Sequence, residues 1–233
     1  MLLLQFPVPF SDNQSMLVLA SGSPRRRELL TQAGYTFTVA PAHIPEDPLP
    51  GESPIAYVVR LAREKAQAVY EQKTGAQHSA RETNLDPLLV LGADTTVVAP
   101  NGEILGKPID AADAARMLRL LAGATHQVIT GVALVSSNIV VPDSVETAAE
   151  VTHVTMLTLS ESEIADYIAT GEPADKAGAY AIQGRAARWI PRIHGCYFNV
   201  VGLPLSLVSS MIECTLRRLE KISIPETAAV SSI

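Results

Sequence analysis

The segment from Met16 to Arg27 restricts the fold more than any other. Met16-Leu17-Val18-Leu19-Ala20 is a short apolar run and reads as a buried strand. Ser21-Gly22-Ser23-Pro24 follows at once. Serine at the cap and proline at the first helical position form a helix start, because the N–H that proline lacks has no partner there anyway. The helix is predicted to run to about Ala33 and to stop at Gly34. A strand, a glycine turn and a helix are thus fixed within twenty residues.

The alternation continues along the chain. Thr36 to Ala40 reads as a second strand, and 41–51 as a proline-rich acidic loop. Ser53-Pro54 opens another helix, with Ile55, Val58, Val59, Ala62, Ala66 and Val69 at helical spacing on its inner face. Residues 72–87 are polar and read as a surface connection. Leu88 to Leu91 is a buried strand that ends in Gly92-Ala93-Asp94-Thr95-Thr96; Val97 to Ala99 stays extended, and Asn101-Gly102 is a hairpin turn. Asp110 caps a helix to Leu121 that buries Ala114, Met117, Leu118 and Leu121. Val128–Val135 and Val151–Leu159 are strands. Ser160 with Glu163 makes a capping box for a helix ending at Gly171. A last helix follows Pro204, with Leu207, Val208, Met211, Ile212, Thr215, Leu216 and Leu219 inward. Several strand pairs are linked too closely for helical crossovers, so the class is α/β with a mixed sheet.

The 233 residues suffice for one large domain or two lobes sharing a core. With 47% hydrophobic and 18% charged residues the chain reads as globular. A net charge of −6 argues against a general nucleic-acid binder, which must neutralise many phosphates. No apolar stretch approaches the ~18 residues of a membrane span. The apolar start, broken by Pro7 and Pro9 and without a basic leader, reads as an extension over 1–15. Cys196 and Cys214 belong to no C-x-x-C pair and read as reduced core thiols. The five histidines are scattered, which argues against a histidine triad.

Five segments carry chemistry. Arg25, Arg26 and Arg27 crowd a helix N-terminus that is already partly positive, which disfavours the helix unless an anion binds there. A solvated basic face with Glu28 as local partner is the alternative. Asp94, at the end of an apolar strand, suits a metal ligand or a water-activating base; a turn aspartate bonding its own backbone is equally open. Lys107, between Gly106 and Pro108, reaches a phosphate or simply sits in a turn. Asp175 to Gly184 suits a tight loop and extended segment at a ligand, or a salt-bridged surface hairpin. Lys65 borders an apolar helix stripe and either snorkels or points into a cleft.

In order, Leu19-Ala20-Ser21-Gly22-Ser23-Pro24-Arg25-Arg26, Leu61-Ala62-Arg63-Glu64-Lys65-Ala66, Gly92-Ala93-Asp94-Thr95, Gly106-Lys107-Pro108, Asp175-Lys176-Ala177-Gly178-Ala179-Tyr180-Ala181-Ile182-Gln183-Gly184 and Val201-Gly202-Leu203-Pro204 resemble the Maf family of nucleotide pyrophosphatases. The resemblance covers about residues 16–220, as one catalytic domain of two lobes, and leaves 1–15 and a tail over 221–233 outside. It implies a Maf/inosine-triphosphatase-like α/β fold, with an elongated mixed sheet flanked by helices and a central cleft. It implies cytoplasmic hydrolysis of a nucleoside triphosphate to monophosphate and pyrophosphate with a divalent cation, Mg or Mn, in a chain that is often a homodimer. No nucleic-acid or membrane partner is implied. The Ala-Gly-Ala-Tyr-Ala-Ile-Gln-Gly form resembles the branch acting on dTTP and UTP. By position, Asp94 matches the general base, and Arg25, Thr95 and Gln183 match positions of substrate choice. Ser21, Arg26, Lys65 and Lys107 match substrate contacts, and Glu46 an acidic loop position that would join Asp94 at a metal. Pro45 replaces an often acidic neighbour of Glu46. Rival readings are a pyrophosphatase for 7-methyl-GTP or a damaged purine triphosphate, and a non-catalytic nucleotide-binding regulator of cell division.

Overall fold

The computed structural model describes residues 16–77, 88–137 and 144–223. The expected extension over 1–15, residues 78–87 of the expected connection and the tail from 224 onward lie outside them. Among the described residues, seven strands form one mixed sheet: β1 (Met16–Leu19), β2 (Thr38–Val39), β3 (Leu88–Val98), β4 (Ile104–Leu105), β5 (Thr125–Ser137), β6 (Ser144–Thr155) and β7 (Arg192–His194). Their order is β2-β1-β3-β5-β6-β7, with β4 also on β3. β1 runs parallel to β2 and β3, and the other pairs are antiparallel. The helices are α1 (Pro24–Gln32), α2 (Pro54–Gln77), α3 (Ala111–Leu121), α4 (Glu161–Ala169), α5 (Tyr197–Val201) and α6 (Leu205–Ser223).

The period of two along each strand sorts the core. Leu17 and Leu19 of β1 and Leu89, Leu91 and Ala93 of β3 pack with Leu29 and Leu30 of α1 and Val208 and Ile212 of α6. The alternate residues Val18, Leu88 and Val90 meet Ala62, Ala66 and Val69 of α2 on the other face. Farther along the first face, Val97, Val128 and Val154 pack with Met117 and Leu118 of α3 and Ile164 and Tyr167 of α4. Each large side chain buried this way contributes about 1.5–3 kcal/mol.

Several helix ends follow their sequence signals. Pro24 opens α1, although Ser23 makes no side-chain cap bond. Asp110 accepts from Asp113 N–H to cap α3, and the capping box of α4 has both its bonds. Other expectations need correction. The second strand shrinks to Thr38–Val39, both exposed, because at the sheet edge only β1 pairs with it. Ile55 is 49% exposed, since the first turn of α2 overhangs the sheet. Residues 72–77 extend α2 instead of forming a loop, as propagating an established helix costs little. β6 begins at Ser144 rather than Val151 and ends at Thr155 rather than Leu159, because hairpin pairing with β5 imposes the strand on a polar stretch. Cys214 is exposed and Cys196 half-buried, so neither is a core thiol. Residues 175–184 are short 3₁₀ turns up to Ala179 and a turn over 182–184, with Tyr180 extended between them rather than a longer extended segment.

Two glycines bring α2 unusually close to the sheet. A Cβ on Gly92 would lie 2.1 Å from the Ala62 carbonyl oxygen, and one on Gly131 would lie 2.4 Å from that of Val58. Helix backbone therefore rests directly on strand backbone. That contact delivers Lys65, one turn beyond Leu61, to the middle of β3.

Candidate active site

Asp94 does not end a strand. β3 runs unbroken from Leu88 to Val98. Its neighbours stop instead. β1 pairs with Leu88 to Leu91, and β4 pairs only with Val97 and Val98. Between them one edge of β3 is bare from Gly92 to Thr96. A cavity of about 680 Å³ opens at this gap.

Arg26 fills the exposed edge. Its Nη1 donates to the carbonyl of Ala93 at 2.9 Å and to Ser21 Oγ at 3.1 Å. Nη2 donates to Thr95 Oγ1 at 3.0 Å, and Nε donates to the carbonyl of Gly202 at 2.8 Å. Four of the five guanidinium N–H groups are thereby used by the protein. Arg26 is 9% exposed and has one N–H left for a ligand. Ser21 Oγ also accepts from Ser23 N–H at 3.3 Å, so its own hydroxyl proton is what it offers the cavity. Thr95 Oγ1 is tied to Thr130 Oγ1 at 2.9 Å as well.

Asp94 points to the α2 face, where Lys65 Nζ donates to its Oδ1 at 2.7 Å. The same ammonium lies 2.6 Å from Glu46 Oε1. Lys65 and Asp94 are each 8% exposed, whereas Glu46 reaches in from the loop after β2 with its carboxylate half in solvent. Burial pushes the Asp94 carboxyl above its ordinary range, and the charges of Lys65 and then Arg26 pull it back only in part. Oδ2 of Asp94 carries no hydrogen bond among the described residues. Tyr57, two turns before Lys65 on α2, donates to the carbonyl of Glu46 at 2.8 Å and fixes that loop. Burial, then the charge of Asp94, pushes its phenol up to about 12.

The opposite wall leaves two polar side chains free. Lys107 and Gln183 line the cavity, are exposed and carry no hydrogen bond or ion pair among the described residues. Arg25 holds Asp175 loosely at 3.5 Å. Lys176 pairs with Asp175. This wall is one piece, because the N–H of Gly178 donates to the carbonyl of Gly106 at 3.0 Å.

All nine residues singled out in the sequence, Ser21, Arg25, Arg26, Glu46, Lys65, Asp94, Thr95, Lys107 and Gln183, line this one cavity. Arg27 does not; it sits on the exposed side of α1. Asp175 and Lys176, from the segment singled out as a ligand loop, also line it, and so do Tyr57 and Asp47, which were not singled out. Tyr57 was findable, because 57, 61 and 65 repeat at i+4 on one helix face.

Five cations (Arg25, Arg26, Lys65, Lys107 and Lys176) face four carboxylates (Glu46, Asp47, Asp94 and Asp175) across the cavity. The lining is therefore nearly neutral. Among the described residues no three His, Cys, Asp or Glu side chains converge as a metal cage. Two carboxylates and an open cavity match Mg²⁺ instead, which keeps water and takes phosphate oxygens rather than a full protein shell.

A family model described as Maf-like protein matches residues 16–215. The chain belongs to the Maf family. Within the family it is 53% identical over 196 residues to a dTTP/UTP pyrophosphatase of Koribacter versatilis (strain Ellin345), covering 84% of this chain and 92% of that one. It is 54% identical over 189 residues to a dTTP/UTP pyrophosphatase of Salmonella typhimurium, covering 81% and 87%. With the dTTP/UTP pyrophosphatase of Geobacter sulfurreducens the identity is 51% over 189 residues, covering 81% and 91%. A solved nucleoside-triphosphatase / dITP/XTP pyrophosphatase from Mycobacterium abscessus overlaps it at 16% identity and a TM-score of 0.31, over 62% of this chain and 75% of that one, too little to carry an argument.

Proposed function

We propose that this Maf-family chain is a nucleoside triphosphate pyrophosphatase that hydrolyses dTTP and UTP to the monophosphate and pyrophosphate, with residues 16–220 as its catalytic domain. The observation that carries the reading is Asp94: a buried carboxylate, held by Lys65 through one oxygen and, among the described residues, free at the other, in a cavity whose far wall offers an unpaired Lys107 and an Arg25 held only loosely by Asp175. The names of its relatives at 51–54% identity point to the same substrates.

Oδ2 of Asp94 takes the proton of a water that attacks the α-phosphorus, and pyrophosphate leaves. Lys65 keeps Oδ1 occupied and favours the ionised carboxylate, since its positive charge opposes the effect of burial. Lys107, Arg25, the Ser21 hydroxyl and the spare N–H of Arg26 hold phosphate oxygens. They need not move far, so positioning and electrostatics supply the acceleration. The Gln183 amide, both donor and acceptor, meets a pyrimidine edge beside Thr95.

A triphosphate brings about four negative charges into this nearly neutral lining. A divalent cation, Mg or Mn, carried with the phosphates would supply the missing positive charge, with Asp94 and Glu46 as the residues to hold it. Among the described residues no helix is long and apolar enough to cross a membrane. We place the enzyme in the cytoplasm, with a homodimer as its assembly and no nucleic-acid partner.

The deciding experiment is a nucleotide panel with pyrophosphate detection, with Mg²⁺ or Mn²⁺, on the wild type and on Asp94→Asn. Release from dTTP and UTP that collapses in Asp94→Asn is expected. Preference for 7-methyl-GTP or a damaged purine triphosphate would move the substrate. No turnover of any triphosphate would leave a nucleotide-binding regulator.

A further inference from the structure

A polar pair stands at the loop wall, with Tyr180 lining the cavity and His126 bonded to it. His126, on β5, is 1% exposed. Its Nε2 lies 2.8 Å from Tyr180 Oη, and the two rings meet edge to face with centroids 5.4 Å apart. Among the described residues, Nδ1 is buried without a partner. Burial lowers the imidazole to about 4, so at neutral pH the ring is uncharged and makes one directional bond. A phenylalanine would fill this place without stranding a ring nitrogen. What imidazole adds is the grip on Tyr180.

Tyr180 is the inward side chain of the loop that carries Gln183. The residue before it, Ala179, has φ of 59°, the left-handed region that a side chain disfavours. Gly178, just before, has φ of 70°, and a Cβ there would lie 2.9 Å from Val97. Such a turn persists only where its surroundings hold it. Four bonds do so: Gly178 N–H to the Gly106 carbonyl, Ala179 N–H to the Lys176 carbonyl at 3.0 Å, Ala181 N–H to Tyr167 Oη at 3.1 Å, and the His126–Tyr180 bond. Gln183 follows Tyr180 by three residues, so a tether at Tyr180 Oη restrains the backbone from which that amide enters the cavity.

We propose that His126 is a positioning residue for substrate choice: its bond to Tyr180 Oη locks the left-handed turn at Ala179 and thereby aims Gln183 at the base. This rests on the reading above, in which Gln183 meets the nucleotide base.

The test compares His126→Phe, Tyr180→Phe, the double variant and His126→Gln with the wild type. Tyr180→Phe removes one oxygen and keeps the packing, so it preserves the test should His126→Phe fold poorly. In the free protein, the amides of Gly178 and Ala181 should exchange hydrogen faster in both single variants. With dTTP and UTP, KM should rise about fivefold to tenfold with kcat little changed, the loss expected for one buried hydrogen bond. Preference for dTTP and UTP over dCTP should narrow by a like factor. The double variant should be no worse than either single one, because both remove the same bond. His126→Gln, which restores a hydrogen-bonding partner able to donate or accept, should recover part of the KM. Unchanged exchange at Gly178 and Ala181 would overturn the brace, and unchanged KM and preference in folded variants would overturn its role in selection. Failure of the wild type to cleave dTTP or UTP would overturn the functional reading instead, and the exchange result would still decide the brace.

Discussion

The two walls of the cavity are built on opposite plans. On the sheet side, Arg26 and Lys65 are buried and nearly every donor they own is used by protein acceptors. On the loop side, Lys107 and Gln183 stand exposed without partners among the described residues, and Arg25 holds Asp175 at only 3.5 Å. Arg25 and Arg26 are adjacent in sequence yet fall on different sides of this division. The difference teaches that cationic residues in one cleft need not share a task. Satisfied groups fix the geometry around Asp94, and unsatisfied ones are left for a ligand.

The largest effect expected is at the reacting group. Asp94→Asn should lower kcat by about 10²–10⁴-fold, while the melting temperature stays close to wild type, since Lys65 keeps Glu46 as partner. Loss of folding alongside activity would erase the distinction between a framework and its reacting carboxylate. Next comes the arginine pair. Arg26→Met strands the Ala93 and Gly202 carbonyls and should cost about 3–5 kcal/mol in denaturant unfolding. Arg25→Met should change stability by less than about 0.5 kcal/mol and raise KM instead. Equal stability losses would collapse the comparison.

Acid stability sharpens it from behind the loop wall. His126 titrates at about 4 when folded against 6.5 in the free side chain. Between those values the unfolded chain binds the extra proton, so unfolding free energy falls as pH drops from 6.5 to 4. The total is about 3 kcal/mol. His126→Phe should flatten that slope, as read from urea melts across the range. The smallest effect belongs to the free lysine. Lys107→Met should raise KM about tenfold, roughly 1.4 kcal/mol, and leave stability unchanged.

Much of this was legible in the sequence, because it is local. Pro24, Asp110 and the Ser160–Glu163 box mark helix starts through bonds made within one turn. Motifs along one chain also gathered the nine cavity residues. What the sequence hid is non-local. Nothing near Arg26 reveals that its acceptors lie on β3 and before α6. The bare edge of β3 depends on where two other strands stop. The role of Gly92 is set by a helix backbone that arrives from another part of the fold.

The bond from Arg26 to Gly202 joins residues 176 positions apart. During synthesis the arginine leaves the ribosome long before its acceptor is made. Until Gly202 emerges, the sheet side of the cavity lacks one of the four ties of its central staple. A truncated product ending before that glycine would hold α1 with an unsatisfied, buried-prone cation and no finished binding surface. Completion of the site is thereby coupled to synthesis past Gly202, and a product that stops short of it has little means of acting on the nucleotide pool.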